Sequence, residues 1–239
     1  MNIIVTTREE AAKLAAEQYA ALLEAKPNAV FGFATGSTPL TLYAELARAY
    51  QRGELSFAKA ISFNLDEYIG LDESNPQSYR YFMNRNLFSK IDIRLENTHV
   101  PSGRIASNDQ ADAYEAQIQA AGGIDLQLLG IGQNGHIGFN EPGTPFGSTT
   151  HLVHLSDSTR KANARFFPSI EEVPTDAVSM GIKTVMNARA ILLFGQGTAK
   201  ADVIRAAVSG PVTEAVPASI LQLHPNVTLY LDSEAAKYL

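Results

Sequence analysis

Short apolar runs alternate along this chain with stretches of helical spacing, and this alternation constrains the fold more than any other feature. Residues 29–34 (AVFGFA) are an apolar run, for example, and residues 40–50 that follow repeat apolar side chains every three or four positions. Strands that alternate with helices of about 10–15 residues are typical of βαβ units and a mostly parallel sheet. The fold class predicted is therefore α/β.

The alternation runs through the whole chain, and no linker rich in Pro, Gly or Ser divides it. We expect a single domain over residues 1–239: an open, mostly parallel, twisted sheet with helices on both faces, in the Rossmann-like manner. We predict strands over residues 3–5, 29–34, 60–65, 99–100, 124–129, 152–155, 177–180, 190–194 and 227–231. We predict helices over residues 9–23, 40–50, 78–88, 109–121, 158–166, 182–187, 198–208 and 218–223.

Composition excludes several classes of function. The formal net charge of −6 argues against non-specific binding to nucleic acid or to an anionic membrane. Cysteine is absent, which excludes disulfides, thiolate catalysis and Cys-ligated metal. The N-terminal residues lack the basic start and long apolar stretch of a signal peptide, and no run of about 18 apolar residues is present. We therefore expect a cytoplasmic protein.

Polar clusters follow several predicted strands directly, where open parallel sheets bind ligands. Residues 35–39 read TGSTP: Gly36 permits a tight turn, and Ser37 and Thr38 supply hydroxyls before a helix. Free N–H groups at such a helix start bind anions such as phosphate. An ordinary Ser/Thr helix cap is the alternative.

Two cations are further candidates for binding an anion. Lys200 lies in GQGTAK, at the start of a predicted helix, where the helix dipole disfavours a cation unless an anion is bound. Arg165 lies in ANARFF, and a guanidinium can hold phosphate through two hydrogen bonds. For each residue, a solvated surface position is the alternative.

The segment FNLDEYIGL, residues 63–71, places two adjacent carboxylates at the end of a strand. Successive strand side chains point to opposite faces, so Asp66 and Glu67 cannot share one environment. One of them is predicted to be partly desolvated and to act as a base, while the other caps or pairs. A turn with a solvated acidic pair is the alternative.

The segment GIGQNGHIGFNEPG, residues 130–143, carries a histidine between glycines. Histidine is the natural acid–base group near neutral pH, and Asn134 and Glu141 lie close enough in sequence to hydrogen-bond His136. A structural histidine in a turn is the alternative. The other histidines lack the partner spacing of a metal site, and we treat them as structural.

Five segments in this order closely resemble the glucosamine-6-phosphate deaminases, within the glucosamine/galactosamine-6-phosphate isomerase family. They are ATGSTPL, FNLDEYIGL, GIGQNGHIGFNEPG, ANARFF and SILQLHPNVTLYLD. The resemblance implies an enzyme that converts D-glucosamine 6-phosphate and water into D-fructose 6-phosphate and ammonia, an aldose–ketose isomerisation with deamination through an enol intermediate. It implies no metal and no organic cofactor.

The resemblance also implies a role for each matched residue. Asp66 would be the general base that moves a proton from C2 to C1, and His136 would open the pyranose ring. Glu141 and Asn134 would orient His136; some relatives carry Asp at the position of Asn134, which leaves Glu141 alone as the counter-charge here. The phosphate would be bound by Gly36, Ser37, Thr38, Arg165 and Lys200.

Two alternatives share the fold: the 6-phosphogluconolactonases, which are hydrolases, and non-catalytic sugar-phosphate sensor domains of transcription regulators. FNEPG after the histidine favours the deaminases over the lactonases, and the chain has no basic segment for a DNA-binding element. Long-chain deaminases are hexamers activated by N-acetylglucosamine 6-phosphate through basic residues after the NEPG loop. Here that stretch has no Lys or Arg before Arg160. We therefore expect a monomer or small homo-oligomer with weak or absent allostery.

Overall fold

The computed structural model describes residues 1–239, apart from the side chains of Ser158, Ala162 and Phe166. The strands it describes are β1 (Asn2–Val5), β2 (Val30–Phe33), β3 (Ile61–Asn64), β4 (Asp66–Tyr68), β5 (Thr98–His99), β6 (Leu126–Gly130), β7 (His151–His154), β8 (Asp176–Ser179), β9 (Ala190–Gly195) and β10 (Val227–Leu231). The α-helices are α1 (Arg8–Ala25), α2 (Leu40–Gln51), α3 (Tyr79–Asn86), α4 (Asn108–Ala120), α5 (Asp157–Asn163), α6 (Ile182–Met186) and α7 (Ala201–Ser209).

Seven strands form one sheet in the order β1-β10-β9-β6-β2-β3-β5, and every neighbouring pair is parallel. The chain builds outward from β2 to β3 and β5, then returns to place β6 on the other side of β2. The order therefore reverses between β2 and β6. Ligand sites of open α/β sheets lie at the carboxyl ends of strands beside such a reversal. The predicted α/β class with a parallel sheet is confirmed.

Helices cover both faces of this sheet. On one face, Tyr19 of α1 stacks on Phe31 of β2, with ring centroids 4.9 Å apart. On the other, Tyr114 of α4 packs edge-on against Phe63 of β3, at 5.6 Å. Phe31 is in register with Ser62, the neighbour of Phe63, so the two aromatic residues point to opposite faces. This double cover explains why β2 and β9 are apolar throughout rather than alternating.

A second sheet, antiparallel and with the order β4-β8-β7, stands beside the carboxyl end of the first. The sequence did not predict it: the DEY segment was assigned to a strand end, and it forms β4 instead. Asp66 pairs in register with Ser179 of β8. A small core of Tyr68, Phe139, Leu155 and Ala177 lies under this sheet, separate from the main core.

Most of the predicted helices are present with shifted ends. The helix predicted over residues 218–223 is present as a 3-10 helix, Pro217–Leu223. The predicted helix at 198–208 divides into a 3-10 turn, Thr198–Lys200, and α7. Further 3-10 turns are Phe88–Lys90, Leu95–Asn97, Ala164–Phe166 and Ile170–Glu172. No helix among the described residues is both long and apolar enough to cross a membrane.

Candidate active site

Four adjacent strands of the parallel sheet, β9, β6, β2 and β3, are followed by four of the five polar segments singled out from the sequence. GQGTAK follows β9, QNGHIG follows β6, TGSTP follows β2 and Asp66 follows β3. The loops after β2 and β6 are in contact, because a Cβ placed on Gly130 would lie 3.7 Å from Thr38 Oγ1. The predicted convergence of these segments at one edge of the sheet is therefore confirmed.

Asp66 is a buried carboxylate with an unusual environment. The residue is 7% exposed, and no described residue donates a hydrogen bond to its carboxylate. Burial raises the pKa of Asp66 to about 8, and the nearby charge of Glu67 adds to this rise. A carboxyl group in this state exchanges its proton near neutral pH, as a general base does.

Glu67, the next residue, is held quite differently. Its carboxylate accepts hydrogen bonds from the backbone N–H groups of Tyr68 and Tyr79, both at 2.9 Å, and of Arg80 at 3.0 Å. The last two belong to the first turn of α3, so Glu67 satisfies free donors at a helix start. Burial raises the pKa of Glu67, and these backbone donors oppose the rise. The predicted difference in environment between the two carboxylates is confirmed, and the role of Asp66 as a base stays a prediction.

Two glycines bring the His136 loop close to Asp66. A Cβ on Gly132 would lie 2.3 Å from His136 Cε1, so a larger residue there would displace the ring. Gly138 has a φ of +59°, and a Cβ on it would lie 3.0 Å from Ser179 Oγ and 3.8 Å from Asp66 Oδ2. The glycine pattern is thus explained by close approach and by a left-handed backbone position.

Glu141 and Asn134 form a network with each other rather than with the imidazole. Asn134 Nδ2 donates to Glu141 Oε2 at 2.5 Å, and Asn134 Oδ1 accepts the backbone N–H of His136 at 3.2 Å. Glu141 Oε1 lies 3.8 Å from His136 Nδ1, beyond hydrogen-bond distance. Asn134 therefore hydrogen-bonds His136 as predicted, although through the backbone N–H and not the ring. The predicted hydrogen bond between Glu141 and His136 is absent, because other donors contact the Glu141 carboxylate.

His136 is partly buried, and its Nδ1 atom has no hydrogen-bond partner among the described residues. Burial lowers the pKa of His136, and the positive charge of Lys200 lowers it further, while the charge of Glu141 acts in the opposite direction. The imidazole is therefore biased towards its neutral form, which can accept a proton.

Arg165 and Lys200 approach each other at the same edge. Burial lowers the pKa of Lys200, and the charge of Arg165 lowers it further. No carboxylate of the described residues forms an ion pair with Lys200. Two neighbouring cations, one of them half-buried and without a counter-ion, are typical of an anion site.

The TGSTP segment lies in the turn between β2 and α2. The cap position of α2 is Pro39, and no side chain makes a capping hydrogen bond there. The alternative that Ser37 or Thr38 is an ordinary helix cap is therefore not realised. Ser37 is exposed, Gly36 and Thr38 are half-buried, and the backbone N–H groups of the first helical turn remain available to an anion.

Ser179, Ser156 and Thr159 are polar contacts of this site that sequence reasoning missed. Ser179 Oγ accepts the backbone N–H of Phe139 at 3.1 Å, which fixes the loop after His136. Ser156 and Thr159 donate to Glu141 Oε1. Their contacts join segments 15 to 40 residues apart, and no local pattern marks them.

The remaining histidines support the structural interpretation. His224 is buried, and its Nε2 lies 2.8 Å from the carbonyl oxygen of Ala188. His154 Nδ1 lies 3.0 Å from Asp176 Oδ1 at the surface. The described side chains contain no group of three or more His, Asp or Glu residues arranged to hold a metal ion.

A family model described as glucosamine-6-phosphate isomerases/6-phosphogluconolactonase matches residues 6–230. The chain belongs to this family. Within it, the chain is 55% identical over 232 residues to a glucosamine-6-phosphate deaminase of Lachnoclostridium phytofermentans, a match that covers 96% of this chain and 98% of the relative. It is 51% identical to a glucosamine-6-phosphate deaminase of Clostridium perfringens, with both chains fully covered.

The fold is also similar to that of two solved structures. A monomeric glucosamine-6-phosphate deaminase matches with a TM-score of 0.97 and 44% identity, with both chains fully covered. A 6-phosphogluconolactonase from Trypanosoma cruzi matches with a TM-score of 0.79 at 21% identity, over 100% of this chain and 96% of the other. At that identity the likeness to the lactonase shows a shared fold and nothing more.

Proposed function

We propose that this chain, as one isomerase/deaminase domain over residues 1–239, converts D-glucosamine 6-phosphate and water into D-fructose 6-phosphate and ammonia. The observation that carries the proposal is the Asp66 carboxyl: it is buried, has no hydrogen bond from a described residue, and has a pKa raised to about 8. Abstraction of a proton next to a carbonyl requires such a base. Relatives with about half of their residues identical carry the name of this activity.

His136 is proposed to open the sugar ring. It stands on the loop whose Gly138 adjoins Asp66, so a sugar in contact with one side chain is within reach of the other. A neutral imidazole takes the proton of the C1 hydroxyl and delivers a proton to the ring oxygen, which leaves an aldehyde at C1. Glu141, 3.8 Å from Nδ1, stabilises the imidazolium that forms between these two transfers.

Asp66 then acts on the open chain. It removes the proton at C2, the electron pair forms a double bond between C1 and C2, and the C1 oxygen takes up a proton from water to give an enol. The same carboxylic acid returns its proton to C1, and the lone pair of the amine nitrogen forms an iminium group at C2. Water adds to that carbon, and ammonia departs to give the C2 ketone. The steps transfer protons, add water and release ammonia without net oxidation or reduction, so this chemistry requires acid–base groups and no metal or redox cofactor.

Arg165 and Lys200, with the turn formed by Gly36, Ser37 and Thr38, are proposed to bind the 6-phosphate. No carboxylate of the described residues forms an ion pair with Lys200, and a phosphate dianion would supply the missing charge. The phosphate is remote from C1 and C2. Its binding energy therefore orients the reacting carbons against Asp66 and His136.

The test is to incubate the purified protein with D-glucosamine 6-phosphate near neutral pH and to quantify ammonia and fructose 6-phosphate. We expect both products in equal amounts. Accelerated hydrolysis of 6-phosphogluconolactone without ammonia release would instead identify a lactonase. Thermal stabilisation by the amino-sugar phosphate without either product would identify a sensor.

We further propose that the protein is a monomer or a small homo-oligomer. Light scattering at several protein concentrations tests this oligomeric state.

A further inference from the structure

Helix α5 connects two parts of the candidate site. Near its start, Thr159 Oγ1 donates a hydrogen bond to Glu141 Oε1, and Ser156 Oγ lies 3.4 Å from the same oxygen. At its end, Asn163 Nδ2 donates to the hydroxyl of Tyr68 at 2.9 Å. One short helix is thus attached both to the carboxylate that faces His136 and to the strand that begins with Asp66.

Thr159 and His136 face the same oxygen of Glu141. Thr159 is 6% exposed, and its hydroxyl makes a direct hydrogen bond to Oε1. His136 Nδ1 is buried, lies 3.8 Å from Oε1, and has no partner among the described residues. An imidazole whose Nδ1 carries a proton would ordinarily hydrogen-bond a carboxylate at that position. The hydroxyl of Thr159 therefore occupies the acceptor that the ring lacks.

We infer that Thr159 is a positioning residue: its hydroxyl holds Glu141 back from His136 Nδ1 and so keeps the imidazole neutral in the substrate-free protein. The contact itself does not depend on which reaction is catalysed. Its consequence for turnover rests on the proposed function, because a neutral His136 is the form that accepts the proton of the C1 hydroxyl.

The charges around His136 agree with this arrangement. Glu141, on the same loop, favours the charged ring, whereas Lys200, in the 3-10 turn after β9, disfavours it, and burial disfavours it more strongly than either charge acts. Asn134 is neutral and contacts the backbone N–H of His136 rather than the ring. The distance from Glu141 Oε1 to His136 Nδ1 therefore decides how strongly Glu141 favours the charged ring. Thr159 makes a hydrogen bond to that same oxygen.

The experiment follows the His136 ring through a pH titration by NMR, with its resonance assigned by its absence in His136→Gln. Thr159→Val keeps the side-chain shape and removes the donor. We expect the His136 pKa to rise by about half a unit to one unit, because Oε1 becomes free to accept from Nδ1. Thr159→Ser restores a donor and should titrate as the wild type does.

The matched control is Thr175→Val, which removes a hydroxyl that donates to a different carboxylate, Asp176 Oδ2 at 2.6 Å, outside the site. It should leave the His136 titration unchanged. A Thr159→Val protein that loses thermal stability but keeps the wild-type His136 pKa would show a purely structural hydroxyl and overturn the inference.

A double variant tests whether Thr159 acts on His136 through Glu141. In the Glu141→Gln background, Thr159→Val should no longer shift the His136 pKa, since the charge through which Thr159 acts is gone. A shift that persists in that background would also overturn the inference. Because the titration needs no substrate, it remains decisive even if the protein releases no ammonia. If ammonia is released, the apparent pKa of His136 in the pH dependence of the rate should shift by the same amount as in the NMR titration.

Discussion

Two buried aspartates at opposite ends of the same sheet show how differently one residue type can be held in a protein interior. Asp125, at the N-terminal edge before β6, is 5% exposed, and Asp66, at the C-terminal edge after β3, is 7% exposed. Lys26 donates to Asp125 at 2.7 Å, Arg189 donates at 2.9 Å, and the backbone N–H of Val30 donates at 2.8 Å.

Asp66 has none of these contacts within the described part of the chain, and the negative charge of Glu67 adds to the rise of its pKa. Burial is thus nearly equal at the two positions, and the hydrogen-bond partners differ. A buried carboxylate that accepts hydrogen bonds from several segments holds those segments together. A buried carboxylate without donors has a raised pKa, because burial disfavours its charged form.

The largest expected effect separates the two aspartates by activity. Asp66→Asn should reduce ammonia formation by about four orders of magnitude, the upper end of what a general base contributes, and should abolish exchange of the C2 proton with solvent. Asp125→Asn should leave the turnover number of the folded enzyme near the wild-type value. Retained C2 exchange in Asp66→Asn, followed by NMR in deuterated water, would remove Asp66 as the base.

The two aspartate variants should differ in stability as well, with the larger loss now in Asp125→Asn. Asp125→Asn should lower the free energy of unfolding by about 2–3 kcal/mol, because it weakens charge-assisted bonds to Lys26 and Arg189. Asp66→Asn should raise it at pH 8. The pKa of Asp66 is higher in the folded than in the unfolded chain, so its ionisation opposes folding increasingly as the pH rises from about 4 to 8. Urea unfolding at pH 5 and pH 8 measures both effects, and a pH-independent difference for Asp66→Asn would contradict this.

Cations at the two edges extend the comparison. Arg165→Ala and Lys200→Ala, at the C-terminal edge, should each raise the Michaelis constant about 10- to 100-fold, the value of a charge-assisted bond to phosphate, with little loss of stability. Lys26→Ala and Arg189→Ala, at the other edge, should lower stability and leave the Michaelis constant unchanged. Steady-state kinetics and thermal melts of all four variants test this, and a normal Michaelis constant in the first two would refute a shared phosphate site.

The sequence alone predicted the parts of the site that depend on local pattern. Buried parallel strands are continuous apolar runs, so β2, β3, β6 and β9 were recognisable, and the rule on strand ends then grouped Asp66, His136 and Lys200. The alternation of side chains along a strand is enough to predict different environments for Asp66 and Glu67.

What the sequence did not predict depends on contacts between distant segments. β4 has three residues, too few for any periodicity, and it exists because β8 pairs with it about a hundred residues later. The partners of Glu141 were misassigned for the same reason: Thr159 lies 18 residues away on a helix whose packing no local signal reveals. Asn134 was expected to act on the ring, whereas its amide donates to Glu141.

The pH dependence of the rate should follow the ionisation of Asp66 and not that of Asp125. Asp66 must be ionised to act as a base, and its pKa is raised to about 8. The specificity constant kcat/KM, which reports the free enzyme, should therefore increase about tenfold between pH 7 and pH 9 if no other group limits it. Asp125→Asn should show the same profile. A profile already flat above pH 6 would place the pKa of the base near its ordinary value and remove the distinction between the two aspartates.

The smallest expected effect concerns Asn134, which is neutral where some relatives are acidic. Asn134→Asp replaces the amide that donates to Glu141 Oε2 with a second carboxylate, so that a second negative charge lies beside Glu141, whose Oε1 is 3.8 Å from His136 Nδ1. The added charge should raise the His136 pKa by less than about one unit and change turnover only a few-fold. An Asn134→Ala variant is the control, because it removes the same hydrogen bond without adding charge. If both variants shift the His136 titration equally, Asn134 acts by holding Glu141, as the geometry around Oε2 indicates, and its lack of charge is incidental.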